Sequence, residues 1–128
     1  MTPPPSVQAA MERAVASLAI AKELHTGGHY AESVSRAYYA CLYASMALLA
    51  SAGLHGKTHD GVRTLVNQHF VRTGKLPGET SMHLGQIEGA RLQADYDLAA
   101  VFTADSANEV LARVGAYLDN VKALLPRA

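Results

Sequence analysis

The hydrophobic positions of the chain recur every three or four residues rather than at every second residue, which predicts helices and no strands. The last predicted helix, capped by Thr103 or Asp105, has the strongest pattern of this kind. Its apolar residues follow at almost unbroken helical spacing: Ala107, Val110, Leu111, Val114, Tyr117, Leu118, Val121 and Leu125. The sequence therefore predicts an all-α fold, an up-and-down bundle of four long antiparallel helices plus one short helix.

Cap and turn residues divide the chain into these helices. Ser6 and Thr58 are N-cap residues for the first and third helices, and a glycine follows each of the first three. The predicted bounds of the first four helices are 6–25, 30–51, 58–74 and 79–99. We expect residues 1–5 to form a disordered, proline-rich stub and residues 6–126 to form one helical domain.

The second helix is apolar on every side from Ala37 onward, whereas a surface helix has a single apolar stripe. It must therefore be buried all round, either by the other helices or by a second subunit. Residues 37–54 are also the segment to test as a membrane span, but alanine, serine and three tyrosines dilute them. A buried central helix is the better interpretation.

Composition excludes several classes of function. The 128 residues include 11 Lys+Arg against 11 Asp+Glu, so no net positive field attracts nucleic acid non-specifically, and we expect no DNA partner. Cys41 has no partner for a disulfide and lies in an apolar stretch, which fits a core position and a reducing compartment. Because no export signal or membrane span is indicated, we expect a cytoplasmic protein.

The second helix also places a cation beside phenols. Arg36 directly precedes its apolar part and shares one side of the helix with Tyr39 and Tyr43. An arginine in this position needs an anionic partner. That partner is either a bound phosphate in a groove with the two phenols, or a carboxylate of the protein while the tyrosines pack in the core.

Charged residues lie within the apolar face of the fourth helix. Helical spacing places six residues within one arc: Leu84, Ile87, Glu88, Arg91, Asp95 and Leu98. Arg91 and Asp95 are four residues apart, so they can form a salt bridge that is costly to leave half-made if buried. A second arc holds Gly85, Gly89, Leu92 and Tyr96. Its two glycines would let another backbone approach closely, which indicates packing, with the Tyr96 hydroxyl at the edge.

Six histidines raise the alternative of a metal site. His25 and His29, like His55 and His59, are four residues apart, but glycines interrupt or adjoin both pairs. Neither pair spans a continuous helical turn, so we expect no metal ion and no cofactor. His59 has a second interest, because it follows Thr58 at a helix N-terminus, where backbone N–H groups favour an anion.

Four segments of the chain resemble successive blocks of one protein family: HYAESVSRAYYACLYASMALLASAGL, KTHDGV, HFVRTGKLP and RLQADYD. They are similar to the small single-domain HEPN proteins of bacteria and archaea, over about residues 11–118. The resemblance implies a helical bundle that forms homodimers. It also implies a partner, a minimal nucleotidyltransferase, with which such a protein acts as a toxin–antitoxin pair.

The resemblance further implies a chemistry. Active HEPN ribonucleases carry an arginine that steadies the RNA phosphate and, four to six residues later, a histidine that assists attack by the 2′-hydroxyl, without metal. Here Arg91 matches the arginine, whereas Tyr96, Asp97 and Leu98 occupy the three places open to the histidine. An unperturbed tyrosine is a poor general base at neutral pH, so another residue must replace the histidine.

Two main hypotheses follow. In the first, the chain is the HEPN component of a toxin–antitoxin-like pair and binds RNA or nucleotide phosphate through Arg36 and Arg91, either with or without cleaving RNA. His59 is then the replacement base, and Tyr96 is the residue that the partner modifies with adenylate. In the second, Arg36, Arg91 and Asp95 form a buried polar network in a non-catalytic assembly module. A metal-dependent hydrolase built on the histidines is a third alternative.

Overall fold

The computed structural model describes residues 5–126, and all of their regular structure is helical. In chain order the elements are α1 (Pro5–Thr26), α2 (Tyr30–Ser51), α3 (His59–Val66), a π-helical segment (Asn67–Val71), α4 (Thr80–Tyr96) and α5 (Ala104–Leu124). The all-α prediction is confirmed, with four long helices and one short one in this range. Of the expected N-terminal stub, only Pro5 is described. The described part of α1 starts at Pro5, so Ser6, the predicted cap, lies within the helix.

A short turn joins α1 to α2, and the two helices pack along each other as a hairpin. Gly28 lies in this turn with φ of 81°, a left-handed conformation that glycine adopts without steric cost, and its N–H donates to the His25 carbonyl at 3.0 Å. Inside the hairpin, the buried Ser33 hydroxyl donates to the Ala21 carbonyl at 2.7 Å. These bonds fix the angle at which α2 enters the core.

α2 is the central helix and contacts α1, α3, α4 and α5. Twelve of its 22 residues are buried, so its apolar character is explained inside one chain and does not by itself require a second subunit. Burial raises the pKa of Cys41 to about 12, which keeps it a neutral thiol in the core rather than a nucleophile. Across residues 5–126, no helix has the length and apolarity needed to cross a membrane.

Side-chain caps determine where α3 and α5 begin. Thr58 is the N-cap of α3, as predicted, because its Oγ1 accepts a hydrogen bond from the Gly61 N–H at 2.9 Å. Thr103 rather than Asp105 caps α5. Its Oγ1 accepts from the Ser106 N–H at 3.0 Å, and its own N–H donates to the Ser106 hydroxyl at 2.9 Å, which forms a reciprocal pair of bonds.

The predicted end of the third helix is wrong. We expected one α-helix as far as Gly74, but α geometry stops at Val66 and the π-helical segment follows. A π-helical turn is wider than an α-helical one and changes the direction in which the following side chains point. Phe70 in this segment is buried in the core, and its carbonyl accepts from the Leu76 N–H at 2.9 Å.

The predicted end of the fourth helix is also wrong. α4 stops at Tyr96 instead of Ala99, because Asp97 adopts an extended conformation and its carboxylate accepts a hydrogen bond from the Ala99 N–H at 3.0 Å. The Asp97 side chain thus provides a hydrogen bond at the point where the next helical turn would have begun. Leu98 consequently leaves the helix and is 99% exposed, so it does not belong to the apolar arc of α4.

The glycine arc of α4 faces open space. A Cβ atom added at Gly85 or Gly89 would meet nothing within 4 Å, and Leu92 and Tyr96 on the same arc are exposed. No other backbone of residues 5–126 packs against it. The packing predicted for this arc is therefore not found within the described chain.

Two glycine substitutions test this packing in opposite directions. Gly56→Ala should lower the free energy of unfolding by about 1–3 kcal/mol, because the new Cβ would lie 2.7 Å from the Val62 nitrogen and 2.8 Å from its Cα. Gly85→Ala, in open space on a helix, should raise it by about 0.5–1 kcal/mol. Equilibrium urea unfolding measures both, and a change of the same sign in the two variants would contradict the structure.

Candidate functional site

Arg91, in the middle of α4, is a cation enclosed by aromatic rings. It is only 8% exposed, and its Cζ lies 4.5 Å from the centroid of the Tyr38 ring and 6.0 Å from that of Tyr39. Both tyrosines belong to α2, so the guanidinium crosses the α2–α4 interface. A desolvated cation over an aromatic face gains roughly 2 kcal/mol, which offsets part of the cost of burying it.

His59 reaches the same guanidinium from α3. It follows the Thr58 cap at the start of that helix, and its Nδ1 lies 3.2 Å from Nη2 of Arg91. Arginine donates hydrogen bonds and cannot accept them, so Nδ1 of His59 is the acceptor and the neutral imidazole carries its proton on Nε2. The ring also lies near Tyr38 and Tyr39, with centroids 5.8 and 6.1 Å away, and His59 itself is exposed. The cluster therefore opens to solvent at the imidazole.

Asp95 is only a loose counter-ion for Arg91. Its Oδ2 lies 3.7 Å from Nη1 of Arg91, one helical turn away, and its side chain is partly exposed. The predicted i, i+4 ion pair is thus present, but Nε of Arg91 is buried without any hydrogen-bond partner within the described chain. A buried guanidinium N–H without a partner is costly, so the hydrogen-bonding capacity of Arg91 is not fully used within the described chain.

Protonation states in the cluster are fixed by their surroundings. Burial by itself lowers the pKa of Arg91, but interactions with Tyr38, Tyr39 and Asp95 outweigh it and raise the pKa above its ordinary value. Burial raises the pKa of Tyr38, although the positive charge of Arg91 opposes the shift. At neutral pH the cluster therefore contains a permanent cation against a neutral phenol.

Tyr38 and the pair Arg63–Glu88 contribute to this centre and were not among the predicted site residues. Tyr38 lies between α2 and α4. Helical spacing places it on a different side of α2 from Arg36 and Tyr39, so the pattern within α2 did not include it in the predicted groove. Nη1 of Arg63 donates to Oε2 of Glu88 at 2.8 Å and joins α3 to α4 beside His59. One signal in the sequence indicated Tyr38 and the Arg63–Glu88 pair: charged residues within the apolar arc of α4 require buried partners from another helix.

Arg36 does not meet Arg91 directly. It is exposed and borders a shallow groove of about 270 Å³ together with Tyr39 and Asp95, both of which contact Arg91 or lie next to it. No salt bridge or hydrogen bond of the Arg36 side chain occurs within residues 5–126. Tyr39 is therefore the residue that links the two arginines, because it borders a groove with Arg36 and lies 6.0 Å from Arg91.

The other predicted residues make no hydrogen bond, ion pair or cation–π contact with Arg91 within the described chain. Tyr43 continues the side of α2 that carries Tyr39, with ring centroids 6.3 Å apart. The Thr58 hydroxyl is engaged in capping α3, so its contribution is to position His59. Tyr96 is 72% exposed at the end of α4 and contacts none of the described residues of the cluster.

No metal centre emerges from the described part of the chain. Nowhere in residues 5–126 do three or more histidine, cysteine, aspartate or glutamate side chains converge as metal ligands would. His25, one member of the histidine pairs, instead bonds through Nε2 to the Ala104 carbonyl at 2.8 Å and stacks near Tyr30. These contacts tie the end of α1 to the start of α5.

Fold and site together define a small helical module with an arginine–imidazole–tyrosine cluster open to solvent on one side. The model of the HEPN domain matches residues 7–124, nearly all of the described range, and the chain belongs to the HEPN family. This agrees with the resemblance found in the sequence.

Several curated proteins are similar to the chain. UPF0332 protein glr0978 of Gloeobacter violaceus is 38% identical over 92 residues, which cover 72% of this chain and 73% of that protein. Two proteins of Methanocaldococcus jannaschii are each 29% identical. "Putative toxin MJ0142" matches over 90% of this chain and 78% of its own length, and "Putative toxin MJ0605" over 93% and 88%.

Substitution of Tyr38 tests whether its ring holds the Arg91 guanidinium. Tyr38→Leu should lower the free energy of unfolding by about 2 kcal/mol or more, because the cation over the ring loses its aromatic face. Tyr38→Phe keeps the face and should cost less than half as much. Thermal and urea unfolding of both variants decide the matter, and equal losses would show that the hydroxyl of Tyr38, rather than the face of its ring, makes the contribution.

Proposed function

We propose that this HEPN protein binds a phosphate of RNA or of a nucleotide at Arg91 and His59, as the toxin-like half of a pair with a minimal nucleotidyltransferase. The observation that carries the proposal is the buried Arg91 guanidinium, whose Nε has no partner and whose Nη2 donates to a solvent-exposed imidazole. A purely structural arginine would be expected to use its donors on carboxylates or carbonyls of the chain. Here Nη2 donates to an imidazole on the solvent side, and the buried Nε has no partner within the described chain.

Phosphate binding would also activate His59. In the free protein Nδ1 accepts the Nη2–H of Arg91, so the imidazole has no basic nitrogen to offer. A phosphate drawn to the guanidinium takes over that donor, because a charge-assisted bond to an anion is stronger than one to a neutral nitrogen. Nδ1 is then free to accept a proton next to the bound phosphate.

The released imidazole supports RNA cleavage without metal. His59 Nδ1 accepts the proton of a ribose 2′-hydroxyl, and the 2′-oxygen forms a bond to phosphorus. The bond from phosphorus to the 5′-oxygen breaks, and that oxygen leaves as a 5′-hydroxyl by taking a proton from water, while the His59 imidazolium returns its proton to the solvent. A 2′,3′-cyclic phosphate remains on the other fragment. Arg91 stabilises the negative charge that develops on the phosphate oxygens.

Cleavage and binding by two variants test this mechanism. With single-stranded RNA in the presence of EDTA, we expect Arg91→Ala and His59→Ala each to lower the cleavage rate about 100-fold or more. Arg91→Ala should also weaken RNA binding, and Arg72→Ala, an exposed arginine outside the cluster, is the charge-matched control. Undiminished cleavage and binding in both site variants would rule the centre out.

A second candidate function is a non-catalytic assembly module, favoured by the burial of Arg91 and its ion pair with Asp95. Arg91→Ala alone does not separate the two functions, because removing a buried cation destabilises the fold in either case. His59→Ala does separate them, because His59 is exposed and its removal should lower the free energy of unfolding much less than removal of the buried Arg91, so that the variant stays folded. Lost activity in this folded variant favours phosphate handling.

The partner and assembly state are further parts of the proposal. Two relatives from Methanocaldococcus jannaschii carry the word toxin in their names, which supports a toxin-like role for this chain. The family resemblance supports a homodimer and a nucleotidyltransferase partner. Tyr96 is well placed for modification by such a partner, because its side chain is 72% exposed at the end of α4, five residues after Arg91.

Intact-mass analysis tests modification of Tyr96. After incubation with the partner nucleotidyltransferase and ATP, we expect the protein to gain the mass of one or more adenylate groups, and peptide mapping should place the first on Tyr96. Tyr96→Phe should abolish that addition, whereas Tyr30→Phe, a half-buried tyrosine at the start of α2, should not. Labelling of other residues with Tyr96 unmodified would reject the assignment.

A further inference from the structure

A second cation–aromatic pair lies on the outer face of the α1–α2 hairpin. Arg13 of α1 places its Cζ 5.6 Å from the centroid of the Tyr43 ring of α2. Arg13 is exposed and Tyr43 is half-buried, so the ring has a fixed position while the guanidinium can reach solvent. Nothing in the sequence patterns singled out Arg13.

The pair borders a groove with a volume of about 860 Å³. Small residues of α1 and longer side chains of α1 and α2 line it. The residues that matter are Ala9, Ala16, Ser17, Arg13, Arg36 and Tyr43. Glu12 also borders the groove, but neither Arg13 nor Arg36 makes a salt bridge with any of residues 5–126. The groove thus contains two arginines that form no salt bridge within residues 5–126.

Arg36 and two tyrosines of α2 link this groove to the Arg91 centre. Arg36 borders both the larger groove and the smaller one that contains Tyr39 and Asp95. Cations and rings then follow each other across α4, α2 and α1 in short steps: 6.0 Å from Arg91 to Tyr39, 6.3 Å from Tyr39 to Tyr43, and 5.6 Å from Tyr43 to Arg13. Two half-buried phenol rings thus form a path from the buried Arg91 guanidinium to the exposed Arg13 guanidinium.

Such a path matches a single nucleic acid strand. Proteins that bind single strands combine cations that contact the phosphates with aromatic rings on which bases stack. A stacked strand advances roughly 3.4 Å per nucleotide, so three steps of about 6 Å each exceed what a mononucleotide spans. A double helix does not offer unstacked bases to the tyrosines.

We infer that Arg13 and Tyr43 form a second subsite, which binds a base and a phosphate of single-stranded RNA several nucleotides away from the phosphate held at Arg91. This inference rests on the proposed function and extends it, because it makes the ligand an RNA strand rather than a free nucleotide. Arg36 lies between the two subsites and contacts the intervening backbone.

Fluorescence anisotropy with a labelled single-stranded uridine octamer tests the subsite, with unlabelled AMP as competitor for the Arg91 centre. Arg13→Ala and Tyr43→Leu should each weaken octamer binding about tenfold, the effect of removing one stacking or phosphate contact, without changing the inhibition constant of AMP. Tyr43→Phe should bind like the parent. Arg72→Ala, the control for charge, should weaken binding less than threefold.

The outcomes separate this inference from the function on which it rests. If Arg91→Ala weakens both ligands while Arg13→Ala behaves like Arg72→Ala, the subsite is wrong and the phosphate centre stands. If the parent binds neither the octamer nor AMP, both fail. Because Arg13 is exposed, its substitution leaves folding intact, and circular dichroism melting verifies that each variant compared is folded.

Discussion

The structure depends on how one buried cation is accommodated. Arg91 occupies a core position of α4, where an unpaired charge would cost several kcal/mol. The chain compensates with the face of Tyr38 at 4.5 Å, the His59 nitrogen at 3.2 Å and a partial contact with Asp95 at 3.7 Å. These partners come from three different helices, so the guanidinium is the point at which α2, α3 and α4 are mutually positioned.

These partners do not satisfy every hydrogen-bond donor of the Arg91 guanidinium, and this makes the cluster a candidate binding site. A bidentate carboxylate would satisfy the guanidinium fully and close the site. Asp95 is too far away for such a bidentate contact, and Nε of Arg91 has no partner within the described chain. Nη2 donates to the exposed imidazole of His59. The protein thus maintains a desolvated positive charge beside an opening, an arrangement that favours an incoming phosphate over bulk water.

Much of the fold could be predicted from the sequence because caps and periodicity are local properties. Thr58 was predicted as a cap and is one, and the bounds of α2 agree with the prediction. The ends of the third and fourth helices could not be predicted, since the π-helical segment and the Asp97 turn compete with helix continuation on small energy differences.

The candidate site, too, could be predicted from the sequence only in part. That Arg91 and Asp95 would pair followed from their spacing, but the contacts of Arg91 with Tyr38 and His59 depend on how three helices pack, which no single helix encodes. The same reason explains Arg13, whose neighbour Tyr43 is thirty residues away and belongs to another helix. Pairing across helices is a tertiary property, and it decides which charged residues share a surface.

The most direct test of the central claim is the tautomer of His59, measured by long-range ¹H–¹⁵N NMR correlation on the free protein and during titration with a nucleotide. We expect the free protein to carry the His59 proton on Nε2, with Nδ1 hydrogen-bonded to Arg91, and the Nδ1 signal to shift as phosphate displaces that bond. A proton on Nδ1 in the free protein, or a Nδ1 signal indifferent to saturating nucleotide, would contradict the account.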